Sequence, residues 1–159
     1  MNSRNYAFPF LLAALTGIAT MGEAAADAEI ASFAFVQEDG ALRIAGNLIR
    51  LYGIYIPPTD RTCYTFIRPV PCGPRAALAL DFRISGDFVH CLPRATLQDG
   101  SIIASCRSEN EDLSAWMLQH GWAVALPDAP FEYLTLERLA QAKGIGIWGI
   151  PIDNIPRRR

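Results

Sequence analysis

Two reverse-turn signatures, Asp39-Gly40 and Gly46-Asn47, divide the stretch from Ile30 to Ile54 into three short apolar runs. Asp-Gly and Gly-Asn reach left-handed backbone at little cost, so they favour tight two-residue hairpins. Runs Ile30 to Val36, Ala41 to Ile44 and Leu48 to Ile54 are therefore predicted to form consecutive strands of a meander. A second pair of runs, Phe88 to Thr96 and Ser101 to Cys106, meets at Asp99-Gly100 and supplies a fourth and a fifth strand. Between the third and fourth lies a loop from Pro57 to Pro71, too rich in proline to continue a sheet.

Gly73-Pro74 opens a helix predicted to run to about Phe82, with proline at a tolerated first-turn position. Its Ala76, Leu78, Ala79, Leu80 and Phe82 imply a mostly buried element. Glu111-Asp112 place acidic side chains at the favourable end of a second helix, Leu113 to His120, which Gly121 ends. Trp122 to Ala125 read as a short extended piece, and Phe131 to Lys143 as a last helix stopped by Gly144. Five short strands with a helix inserted after the third predict an α+β chain: a five-stranded oligonucleotide- and oligosaccharide-binding (OB) barrel with about three helices.

The chain of 159 residues suits one domain with one core. Arg4, the apolar run Tyr6 to Gly22 and the small residues Ala24 to Ala26 have the pattern of a signal peptide over residues 1–26. An uncleaved anchor is the competing reading, but the run is short for a span of roughly 20 residues and holds Pro9. The expectation is a secreted or periplasmic domain over residues 27–150, no membrane span after cleavage, and a C-terminal tail over 151–159. The tail ends in Arg157-Arg158-Arg159, the one concentrated basic run, read as a solvated end. A net charge of −2 and a pI near 5.6 argue against nucleic acid as the ligand, because phosphate contact calls for a basic face.

Cys63, Cys72, Cys91 and Cys106 are an even set in a disulfide-permissive compartment. Cys91 and Cys106 fall on neighbouring strands, and Cys63 and Cys72 bracket one loop, so the predicted pairs are Cys63–Cys72 and Cys91–Cys106. Zinc competes poorly, since the spacing contains no CxxC pair.

The strand Ile49-Arg50-Leu51-Tyr52-Gly53-Ile54, followed by Tyr55-Ile56-Pro57-Pro58, resembles the core strand of the staphylococcal-nuclease-like (thermonuclease) family. There an Arg-Leu-x-Gly-Ile run leads into Asp-(Thr or Ala)-Pro-Glu. Cys72-Gly73 before Ala76-Ala77-Leu78, the run Asp112-Leu113 through Trp116-Met117 to Gly121-Trp122-Ala123, and the closing Ala140, Ala142-Lys143 and Gly146-Ile147-Trp148 are similar to secreted members. The resemblance covers roughly Phe35 to Trp148 and consists mainly of packing residues, which identify a fold more firmly than an activity.

The resemblance implies a phosphodiesterase built from two aspartates and a carbonyl on calcium, a glutamate general base and two arginines on the phosphate. Calcium wants hard oxygen ligands, the base must take a proton from water, and guanidinium forks match phosphate. Aligned on Leu42-Arg43-Ile44 and Ile49-Arg50-Leu51, the first aspartate falls on Gly40, the second on Tyr55, the carbonyl on Ile56 and the base on Pro58. The second arginine falls on Ser101. Only Arg50 remains of the charged set, so no catalytic residue, metal site or cofactor is expected. Loss of the base alone costs about 10²- to 10⁴-fold.

Asp39 and Asp60 are the candidate relocated carboxylates, although turn residues of this kind usually bond backbone. Arg50 either holds an anionic group in a remnant pocket or pairs with Asp39, Glu38 or Asp60. Tyr52 and Tyr55, with Tyr64 and Phe66, make its surroundings aromatic, which suits a sugar or a base as well as ordinary packing. Arg50, Tyr52 and Tyr55 are thus the candidate ligand-binding residues. His90 is expected to face solvent opposite Cys91, His120 to end a helix, and Trp116, Trp122 and Trp148 to pack in the core. The expected function is a degenerate thermonuclease-like binding or accessory module, by family analogy in exopolysaccharide (succinoglycan) biosynthesis with an oligosaccharide as partner. The alternatives are an altered hydrolase using Arg50 and a protein-interaction domain contacting its partner through residues 57–71.

Overall fold

The computed structural model describes residues 28–58, 62–64, 69–71 and 73–149. The predicted leader and tail, Asp60, Phe66 and the Cys63–Cys72 pairing lie outside the described residues. The elements in order are β1 (Ile30–Val36), β2 (Leu42–Ile44), β3 (Asn47–Leu51), β4 (Ile54–Tyr55), β5 (Thr62–Tyr64), β6 (Pro69–Pro71), α1 (Gly73–Ile84), β7 (Phe88–Thr96), β8 (Ile102–Ser108), β9 (Glu111–Asp112), α2 (Leu113–Gln119), β10 (Val124–Ala125) and α3 (Phe131–Lys143). A 3₁₀ turn, Gly146–Trp148, follows.

Strands β3, β2, β1, β7 and β8 are neighbours in that order, and a parallel pairing of β3 with β8 (Ile49 opposite Ile102, Leu51 opposite Ala104) closes them into a barrel. Closure removes the open edges that a five-stranded sheet would otherwise expose. With three helices outside it, the architecture is α+β and OB-fold-like. Alternation sends Leu42, Ile44, Ile49, Leu51, Val89, Cys91, Ala104 and Cys106 inward. Ala76, Leu80 and Ile84 of α1 and Leu113, Met117 and Leu118 of α2 join the same core, each full-sized aliphatic side chain contributing about 1.5–3 kcal/mol by burial. Cys91 and Cys106 stand directly opposite on β7 and β8 and are disulfide-bonded, with their Cα atoms 4.1 Å apart.

The first two turns differ from the sequence reading. Asp39-Gly40 does not form a two-residue hairpin, and its turn matches the one at Gln98-Asp99-Gly100. Both are five-residue loops, 37–41 and 97–101. In each, the first residue's N–H donates to the fifth residue's carbonyl (2.7 and 2.8 Å) and the glycine N–H to the first carbonyl (2.9 and 3.0 Å). Asp39 Oδ1 accepts from the Ala41 N–H at 3.0 Å, Asp99 Oδ1 from the Ser101 N–H at 2.9 Å. Gly40 and Gly100 close the loops at φ +78° and +79°. The aspartate side chain's capture of a backbone N–H two residues on favours this longer turn over the tight one.

The β2–β3 hairpin is tight, but its central residues are Ala45 and Gly46, one place earlier than Gly46-Asn47, because Ile44 pairs with Asn47. Ala45 is thereby forced to φ 48°, a conformation costing an L-residue roughly 1–2 kcal/mol. Ala45→Asn restores the Asn-Gly turn and should raise stability by about 0.5–1 kcal/mol. Urea unfolding midpoints check it, and an unchanged midpoint would show that this strain is not felt.

Helix α1 is one-sided rather than mostly buried: Leu78 and Phe82 are 52% and 73% exposed. Trp116, Trp122 and Trp148 are half-buried, the first two leaning on the core from outside. His90 is half-buried too, its Nδ1 3.4 Å from a Glu29 carboxylate oxygen. His120 caps the C-terminal end of α2 as expected.

Helix α2 is held at its start by Asp112, which accepts from the Ala115 N–H at 2.9 Å and from the Tyr133 hydroxyl at 2.7 Å. Burial, with the Asp112 carboxylate beside it, pushes the Tyr133 phenol well above its usual range, so it stays a donor and ties α3 to α2.

Candidate functional site

Strand β3 carries Arg50 to the barrel mouth, where loop 37–41 and the segment after β4 enclose a cavity of about 280 Å³. Asp39, Arg50, Leu51, Tyr55, Ile56 and Pro58 line it. The backbone supplies the reason for this convergence: Leu51 ends β3, Gly53 turns at φ +74°, and β4 pairs Tyr55 with Val124 of β10. The segment is thereby folded back over the loop that joins β1 to β2.

Arg50 Nη1 donates to Asp39 Oδ2 at 3.1 Å, with side chains 41% and 50% exposed. An ion pair so open to water contributes about 0–1 kcal/mol. Its interest is positional, because Arg50 also acts on the second loop. The Ser101 hydroxyl (2.6 Å) and N–H hold the Asp99 carboxyl below the usual carboxylate range, and the Arg50 charge adds to this. The Arg50 charge therefore reaches the carboxylates of both matching turns, Asp39 through a hydrogen bond and Asp99 through space. The role of Asp99 was not foreseen from the sequence; the repeated x-x-Asp-Gly pattern at 37–41 and 97–101 was the available signal.

Of the candidate ligand residues, the structure brings Arg50 and Tyr55 together with Asp39, but not Tyr52. The alternation that would align Tyr52 with Arg50 stops at Leu51. The Tyr52 ring instead lies beneath the Arg94 guanidinium, 5.6 Å from ring centroid to charge centre, and its carbonyl accepts from the buried Ser114 hydroxyl at 2.9 Å. Arg94 also donates to Ser105 Oγ at 3.1 Å.

A calcium ion does not fit these residues. A Cβ on Gly40 would lie 2.6 Å from Ile56 Cδ1 and 3.0 Å from Ile56 Cγ2, so the isoleucine holds the space a side chain there would need. Tyr55 and Pro58 provide no carboxylate, which leaves Asp39 as the one acidic side chain among the described lining residues. Calcium needs six to eight oxygens at 2.3–2.6 Å as a rule. Among the described residues, no three His, Cys, Asp or Glu side chains come together. Ser101, where the resemblance expects the second arginine, is 1% exposed and spends its hydroxyl on Asp99.

The steric closure is testable. Gly40→Asp should lose about 2 kcal/mol, from the left-handed backbone and the Ile56 contact together. Gly40→Asp with Ile56→Ala should recover the steric part, so unfolding energies that simply add would refute the contact.

The chain matches no protein-family model and no curated protein.

Proposed function

We propose that this is a catalytically degenerate thermonuclease-like domain that serves outside the cytoplasm as a binding or accessory module, with exopolysaccharide handling as its concrete setting. The observation that carries the reading is the Ile56 side chain filling the volume beside Gly40, which replaces a carboxylate position with an apolar wall while the cavity and Arg50 persist. A polar pair in a mostly apolar recess is the ordinary composition of a small-ligand site. Support for an oxidising compartment comes from the buried Cys91–Cys106 bond and the signal-like leader. No helix among the described residues is long and apolar enough to cross a membrane.

The altered-hydrolase alternative would have to rely on Asp39 alone, since no second carboxylate lines the cavity among the described residues. A calcium titration of nuclease activity on single-stranded DNA, run beside Arg50→Ala, should give no metal-dependent cleavage in either protein. Cleavage that the substitution abolishes would sink the binding-module reading.

A further inference from the structure

Resting on the binding-module reading of this cavity, we propose that it selects a neutral sugar ring through a vicinal diol and rejects anionic ligands. The geometry of the Arg50–Asp39 pair carries the argument. A guanidinium has five N–H donors and a carboxylate about four lone-pair sites. Among the described residues, Arg50 uses one N–H, on Asp39 Oδ2, and Asp39 accepts that bond and one from the Ala41 N–H. Donors and acceptors therefore remain side by side along the edge of one ion pair. A hydroxyl group matches such an edge, because it donates to the carboxylate while its oxygen accepts from the guanidinium. Two adjacent hydroxyls do so with both members of the pair left in place.

Charge decides against an anion. Arg50 brings one positive charge, and Asp39 and Asp99 bring two negative ones, the latter near enough for Arg50 to act on its carboxyl. A phosphate or uronate taking the remaining N–H donors of Arg50 would sit beside the Asp39 carboxylate, whose charge opposes it. A neutral diol adds no charge and displaces nothing. The walls fit the rest of a pyranose: Leu51, Ile56 and Pro58 offer aliphatic surface and Tyr55 an aromatic ring for a face of C–H bonds. A volume of about 280 Å³ lies near the lower end of ligand pockets, enough for one residue of a glycan rather than a stretch of chain.

The test is a glycan array of neutral and uronate oligosaccharides in matched linkages, with a calorimetric titration of inorganic phosphate. The wild-type protein should retain neutral members, bind their uronate counterparts about tenfold more weakly or worse, and show no saturable phosphate binding. Asp39→Asn combined with Asp99→Asn leaves Arg50 unopposed and should raise uronate binding about five- to tenfold while weakening the neutral ligand. Uronate or phosphate held more tightly than neutral glycan by the wild type overturns this inference and leaves the binding-module reading standing. Retention of no array member and no phosphate removes both. Wild-type selectivity decides the point even if the double variant fails to fold.

Discussion

Gly146→Ala should destabilise the domain by about 3 kcal/mol or more, the sum of a left-handed backbone penalty and an overpacked contact. Gly146 and Gly121 meet backbone to backbone where the chain leaving α2 touches the 3₁₀ turn after α3. A Cβ on Gly146 would press on the Gly121 carbonyl oxygen and lie 2.5 Å from both the Gly121 carbonyl carbon and the His120 oxygen. A Cβ on Gly121 would meet the Ile145 carbonyl in the same way. No rotamer change relieves such contacts, since the atoms belong to main chain. The Gly121 carbonyl also accepts from the Ile147 N–H at 2.8 Å, and Ile147 is fully buried, so separating the strands of this junction would unseat a core side chain. Gly86 is the control: it has φ +83° but nothing within 4 Å of the position a Cβ would take, so Gly86→Ala should cost only about 1 kcal/mol. Equal losses for the two variants in urea unfolding would show that the close approach carries no energy.

How far the molecule was legible in its sequence depended on whether the governing interaction was local. The strands were legible because period-two alternation in Ile30 to Leu51 and Phe88 to Ser108 comes from which face is buried. The closing pairing of β3 with β8 was not, since it joins Ile49 to Ile102 across a third of the chain and nothing in either strand names its partner. Turn chemistry gave the location of the first loop but not its length: Asp39 captured a backbone N–H group and drew its loop out to five residues. Ala45 took a strained position because the Ile44–Asn47 register required it. Helix α1 read as buried because its composition is apolar, whereas only Ala76, Ala77, Leu80 and Ile84 face the barrel.

The candidate site divides along the same line. That Gly40, Tyr55 and Pro58 cannot bind calcium or accept a proton follows from residue type alone. That Ile56 fills the gap beside Gly40 and that Arg50 pairs with Asp39 depend on three segments meeting at the barrel mouth. Tyr52 fell away from the cavity because β3 ends at Leu51, one residue before it, and the chain turns at Gly53.

The second large effect is expected at the core disulfide. Cys91→Ala with Cys106→Val should cost about 3 kcal/mol by the chain-entropy account of a loop this size, the cysteines being separated by 15 positions. The hairpin between them is already closed in the folded protein by the 97–101 loop, whose Leu97 N–H donates to Ser101. Most of the loss therefore arises in the unfolded chain, which regains the freedom of residues 92–105. Valine opposite alanine roughly preserves the volume of the two buried sulfurs, 0% and 2% exposed at their residues, so that a cavity is not confused with the missing bond. Substitution addresses this bond specifically, which a reductant added to the whole protein does not. The expected signature is a lower urea midpoint with a larger denaturant slope, since the uncrosslinked chain exposes more surface on unfolding. A midpoint equal to that of the parent would mean that the β7–β8 pairing is set by packing alone.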